Sequence, residues 1–120
     1  MNQWAILGEA DVFVTHQGLN STHEAIFNRV PMLSYPFFWD QPGLALKCAA
    51  FGITRPLGTG LRAMVTPEDA ASALAGFGEN RQAMADNLEA ARDRELAVIA
   101  GRGLVLDRIA GLIQRVANTP

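Results

Sequence analysis

Short unbroken apolar runs alternate along the chain with longer stretches of helical spacing. Asp11-Val12-Phe13-Val14-Thr15 is β-branched, aromatic and continuous rather than alternating. Such a run suits a strand buried on both faces, as in a parallel sheet. Met32-Leu33-Ser34-Tyr35-Pro36 and the stretch from Ile53 to Leu57 repeat the pattern. A loop and helix fill the gap from Gly18, and Pro31 ends that helix because the residue before proline is pushed out of the helical region. A second loop runs from Phe37. The helix after it carries Leu44, Cys48 and Phe51 on one face and is capped by Gly52. Upstream, Trp4, Leu7 and Ala10 form a weak helical pattern.

Beyond the third strand, residues 58–64 read as a loop, and helical signals fill the rest. Thr66 is an N-cap, Pro67 takes the first helical position and Asp69 lies in the first turn. Met84, Leu88 and Ala91 share a stripe; Gly101-Arg102-Gly103 interrupts it; Val105, Ile109, Leu112, Ile113 and Val116 resume it. The pattern predicts strands near 11–15, 32–35 and 53–57, and helices over 20–29, 42–51, 67–76, 80–99 and 103–117. Strands alternating with helices mean right-handed crossovers and a parallel sheet. Three strands are about half of a doubly wound sheet. The expectation is an α/β fold, a partial Rossmann-like parallel sheet followed by C-terminal helices, with an unpartnered edge that favours self-association.

Composition narrows the function. The chain has 120 residues, enough for one small domain, and its 49% hydrophobic content is that of a folded protein. A formal net charge of −2 argues against a general nucleic-acid binder. The single cysteine, Cys48, allows no internal disulfide and suits a reducing compartment. No apolar run reaches the roughly 20 residues of a membrane span. No signal-peptide pattern is visible. The expectation is a cytoplasmic, soluble chain.

Candidate chemistry gathers where the first strand hands over to the helix, in Thr15-His16-Gln17-Gly18-Leu19-Asn20-Ser21-Thr22-His23-Glu24-Ala25. In open parallel sheets, ligands bind beyond the carboxyl ends of the strands. Gly18 lets a ligand approach the backbone, and a helix beginning near Ser21 offers free N–H groups that favour phosphate. His16, Asn20 and Ser21 can donate to phosphate oxygens, and Glu24 can accept from sugar hydroxyls. A plainer reading stands beside this one. Ser21 to Glu24 fits a capping box, and His16 can be a hydrogen-bonded structural histidine. His23 reads as solvated surface. Asp40 and Gln41, after the second strand, suit a bidentate grip on neighbouring hydroxyls, although Asp40 can equally cap the helix that begins at Pro42. Phe37, Phe38 and Trp39 read as packing groups.

The stretch from Phe13 to Ile53 resembles the nucleotide-sugar-binding signature of family 1 glycosyltransferases, which have the GT-B architecture of two Rossmann-like domains facing a cleft. The matching positions are Phe13, Val14, Thr15, His16, Gly18, Asn20, Ser21, Glu24, Ala25, Val30, Pro31, Met32, Pro36, Asp40 and Gln41. The resemblance is to bacterial enzymes that glycosylate antibiotics, macrolides, carotenoids and other lipophilic acceptors. It implies that His16 and the turn at Gly18 contact a diphosphate, that Asn20 and Ser21 hold phosphate oxygens, and that Glu24 binds ribose. It further implies that Asp40 and Gln41 bind the donor sugar, and that Gln3 lies near the base. Arg29 stands where the family usually has glycine, Gln17 where it has a small residue, and Leu44 where asparagine is common.

The family's catalytic base and acceptor pocket belong to an N-terminal domain that is not in this chain. The resemblance therefore implies the donor-binding part of an inverting hexosyltransferase using a UDP- or TDP-sugar, with no metal and no further cofactor. The alternatives are a donor-binding subunit of a split transferase and a truncated, inactive remnant.

Overall fold

The computed structural model describes residues 2–58 and 64–119. The elements follow in the order α1 (Gln3–Leu7), β1 (Phe13–Thr15), α2 (Leu19–Phe27), β2 (Met32–Ser34), α3 (Gln41–Ala50), β3 (Thr54–Pro56) and α4 (Pro67–Ala117). Most of the loop read over 58–64 lies outside the described residues. The strands form one parallel sheet in the order β1-β2-β3, with Phe13 beside Met32 and Met32 beside Thr54. The helical crossovers carry the chain back to start each strand at the same edge, so the loops after β1 and β2 emerge together.

The core lies where α2, α3 and α4 meet the sheet: Ala25, Ile26, Met32, Cys48, Ile53, Leu88 and Ala91 are buried together. Burial pushes the Cys48 thiol up from its ordinary value, with Lys47 acting weakly the other way. The central strand β2 is buried throughout. β1 departs from the expected burial on both faces, because it is the sheet edge and Val14 is 54% exposed.

Both crossover helices end in the same turn. After α3, Gly52 N–H donates to Ala49 O and Ile53 N–H to Cys48 O, with Gly52 at φ 73°. After α2, Arg29 N–H donates to Ile26 O and Val30 N–H to Ala25 O, with Arg29 at φ 56°. The tight turn survives without the family's glycine; the arginine takes the left-handed conformation instead.

The C-terminal region corrects the expectation of three helices over 67–76, 80–99 and 103–117. α4 is one helix of 51 residues. Its start is as read: Thr66 Oγ1 accepts from Asp69 N–H, and Asp69 Oδ2 accepts from Thr66 N–H. Gly101 and Gly103 do not break it. An interior glycine costs about 1 kcal/mol relative to alanine, and neither proline nor a left-handed residue follows to stop propagation. Met84, Leu88 and Ala91 are buried as the stripe predicts, whereas Val105, Ile109, Leu112, Ile113 and Val116 are exposed. No helix among the described residues is long and apolar enough to cross a membrane.

Candidate functional site

β1 ends at Thr15, and the next two residues set the turn. Gln17 has φ 67° and is fully buried. Its side chain reaches under α2, where Nε2 donates to Thr22 Oγ1 (2.8 Å) and lies 3.2 Å from Met32 Sδ. Thr22 Oγ1 in turn donates to Gly18 O at 2.7 Å. This chain of bonds fixes the first turn of α2 to the sheet. It costs something locally: Gln17 Oε1 is buried without a hydrogen-bond partner.

Gly18 is the N-cap of α2, and no side chain caps that helix. The helix starts at Leu19, earlier than expected, and the capping box read at Ser21 and Glu24 does not form. Ser21 lies inside the first turn, too far along to cap it. Ser21 and Glu24 both face Gln3 of α1 instead: Gln3 Nε2 donates to Ser21 Oγ (3.2 Å) and to Glu24 Oε2 (2.8 Å). The first-turn N–H groups of α2 therefore have no side-chain acceptor, and they carry the positive end of the helix dipole.

His16 stands beside this turn. Its Nδ1–H donates to the Tyr35 carbonyl at 2.8 Å, since a carbonyl oxygen only accepts. The Phe37 ring meets the imidazole edge-on, with centroids 4.8 Å apart. From the second loop, Gln41 Oε1 accepts from Phe37 N–H (2.9 Å) and Phe38 N–H (3.4 Å). That leaves the Gln41 amide NH₂ as a donor with no hydrogen bond to a described residue.

Gln3, Thr15, His16, Gly18, Ser21, Tyr35 and Gln41 line one cavity of about 460 Å³ at the carboxyl ends of β1 and β2. Among the described residues, no charged side chain lines it, and an anion there would meet the helix N-terminus and His16. Asn20 and Glu24 line a neighbouring cavity of about 390 Å³ with Trp4, His23 and Phe27. Gln3 links the two, because it lines the first and holds the carboxylate of the second.

The structure thus brings Gln3, His16, Gly18, Ser21 and Gln41 around one cavity and sets Asn20 and Glu24 beside it. Asp40 lies at the N-cap of α3, exposed and without a side-chain capping bond, so the plainer reading of it as a cap is not met. His23 is not simply solvated: its Nδ1 lies 3.4 Å from Glu95 Oε1 on α4. Phe37 packs against His16 and Tyr35, but Trp39 is 89% exposed with φ 57°. Sequence reasoning missed Tyr35 and Thr22. Tyr35 acts through its backbone carbonyl, which no side-chain pattern reports; Thr22 is buried in the bonds beneath the turn. Among the described residues, no group of three or more histidine, cysteine, aspartate or glutamate side chains could hold a metal ion.

Comparison with known proteins agrees with this fold. The family described as UDP-glucoronosyl and UDP-glucosyl transferase matches residues 1–81. The chain is 40% identical over 52 residues to zeaxanthin glucosyltransferase of Pantoea ananas, a match covering 43% of this chain and 12% of that enzyme. It is 40% identical over 57 residues to oleandomycin glycosyltransferase of Streptomyces antibioticus, covering 48% of this chain and 13% of that enzyme. The solved glycotransferase of kitacinnamycin superposes with a TM-score of 0.74 at 36% identity, over 96% of this chain and 28% of that one. The chain thus spans well under a third of the length of these relatives.

Proposed function

The chain belongs to the UDP-glucoronosyl and UDP-glucosyl transferase family, and from that premise we propose that it is the donor-binding part of an inverting hexosyltransferase. The donor is a UDP- or TDP-sugar, and the acceptor is a hydroxyl on a small lipophilic molecule. The observation that carries this reading is the convergence of Gln3, His16, Gly18, Ser21 and Gln41 around one cavity at the open N-terminus of α2. A diphosphate there accepts hydrogen bonds from the first-turn N–H groups, His16 and Ser21. Asn20, from the neighbouring cavity, shares the phosphate in this reading, and Glu24 exchanges its bond with Gln3 for the ribose hydroxyls. Asp40 and Gln41 hold the sugar, the first as acceptor and the second as donor.

In the transfer, the acceptor oxygen attacks the anomeric carbon from the face opposite the diphosphate. The new C–O bond forms as the sugar–phosphate bond breaks, and the electron pair leaves on the diphosphate. Helix N–H groups aimed at that developing charge stabilise the leaving group without a metal. The general base and the acceptor pocket come from a second domain or a partner chain. The names of the zeaxanthin and oleandomycin enzymes support a lipophilic acceptor.

Calorimetric titration of the purified chain with UDP-glucose and TDP-glucose tests the reading. Saturable one-to-one binding of either sugar nucleotide is the expected result. A folded chain that binds neither has no donor site.

A further inference from the structure

The hydrogen bond that orients His16 also decides what its other nitrogen can do. Nδ1 must carry a proton, because its partner at 2.8 Å is the Tyr35 carbonyl. In the neutral ring Nε2 is then a bare lone pair. It has no hydrogen bond to any described residue, and the imidazole lines the 460 Å³ cavity with Ser21 and Gln41. A diphosphate oxygen is also only an acceptor, so the neutral imidazole and the diphosphate repel. Two escapes exist. The ring can break its bond to Tyr35 and turn, which loses the edge contact with Phe37. Alternatively, it can keep both and gain a proton.

We propose that His16 enters donor binding as the imidazolium, taking one proton from solvent at Nε2, because the Tyr35 carbonyl reserves Nδ1–H. This rests on the donor-site reading above. In the step, Nε2 accepts a proton from water or buffer and its new N–H donates to a diphosphate oxygen; no bond of the sugar nucleotide breaks. Among the described residues, the other groups around the ring supply no competing acid or base near neutrality. α1 contributes Gln3 and α2 contributes Ser21, neither of them ionisable near neutrality. β2 leads to the Tyr35 phenol, and α3 presents the Gln41 amide. Glu24, held by Gln3, and Asp40, at the N-cap of α3, do not line the cavity.

The sign follows from linkage. Binding favours the protonated ring, so affinity is full where free His16 is already charged. As pH rises beyond that point, affinity falls by up to about tenfold per pH unit, until the bound imidazolium also deprotonates. UDP-glucose is the probe, because it lacks the terminal phosphate whose second proton leaves near pH 6 (about the pKa of a phosphomonoester).

Calorimetry of UDP-glucose binding in buffers of different ionisation enthalpy counts protons directly. The expected result is net proton uptake on binding at about pH 8 that shrinks as the pH is lowered. His16→Gln, whose amide donates without titrating, should bind with no uptake and a flat pH profile. His23→Gln should keep the wild-type uptake. Binding without uptake at about pH 8, or uptake that persists in His16→Gln, overturns the proposal and leaves the donor site standing. A folded chain that does not bind UDP-glucose overturns the donor site and this inference with it.

Discussion

Arg29 holds φ 56° at the turn from α2 into β2, a conformation that costs a non-glycine residue about 1–2 kcal/mol. It is exposed, so its side chain is not needed for the core. Arg29→Gly should therefore stabilise the fold by about 0.5–1 kcal/mol, the relief of strain less the extra freedom of glycine in the unfolded chain. Urea melts check this; an unchanged or lower midpoint would show that the arginine is anchored in a way the turn geometry does not reveal. In the site, Ser21 and Asp40 separate two roles. Ser21→Ala should weaken UDP and UDP-glucose alike by about 1–3 kcal/mol, because it removes a charge-assisted bond to phosphate. Asp40→Ala should weaken UDP-glucose while leaving UDP nearly unchanged. Equal losses for both ligands in Asp40→Ala would count against a sugar contact.

At the scale of elements, glycines at different places in the chain carry different consequences. Gly101 and Gly103 sit inside α4 with open space where a Cβ would go. Gly101→Ala and Gly103→Ala should each raise helix stability by about 0.5–1 kcal/mol, seen as a higher helical signal on warming. Gly52 is the reverse. It has φ 73°, and a Cβ there would collide with the Asn87 side chain, whose Nδ2 donates to Gly52 O. Gly52→Ala should destabilise by at least about 1 kcal/mol in the same melts. These cases also show what was legible from sequence. The three strands, Thr66 as N-cap and Gly52 as a cap were readable because each depends on local chemistry. The continuity of α4 was not, because a glycine pair reads as a break unless the helix is known to propagate through it. The missing capping box had the same origin: S-x-x-E signals a start only when Ser is the N-cap, and buried Gln17 and Thr22 set the start at Leu19.

For the whole molecule, the decisive expectation is that the chain alone does not turn over. Inverting transfer needs a base within hydrogen-bond reach of the acceptor hydroxyl, on the face of the sugar away from the diphosphate. The two histidines do not supply it, since His16 faces the proposed phosphate side and His23 lies against Glu95 on α4. Without an acceptor wall, proximity and orientation are lost as well. Incubating the chain with UDP-glucose and a panel of phenolic and macrolide acceptors should give no multiple-turnover glycoside by mass spectrometry. Robust product would place the base within these 120 residues.

α4 is continuous in its hydrogen bonds but not in its packing. Its buried residues, Ala73, Gly76, Met84, Leu88 and Ala91, all lie in the first half, and beyond Arg92 the described residues are half-buried at most. One helix therefore contains two classes of amide proton. Those near Leu88 should exchange with deuterium only when the whole domain opens. Those after Gly101 should exchange through fraying that leaves the sheet intact, with protection falling steadily toward Ala117. A flat protection profile along α4 would mean that its second half is held by something beyond its own backbone.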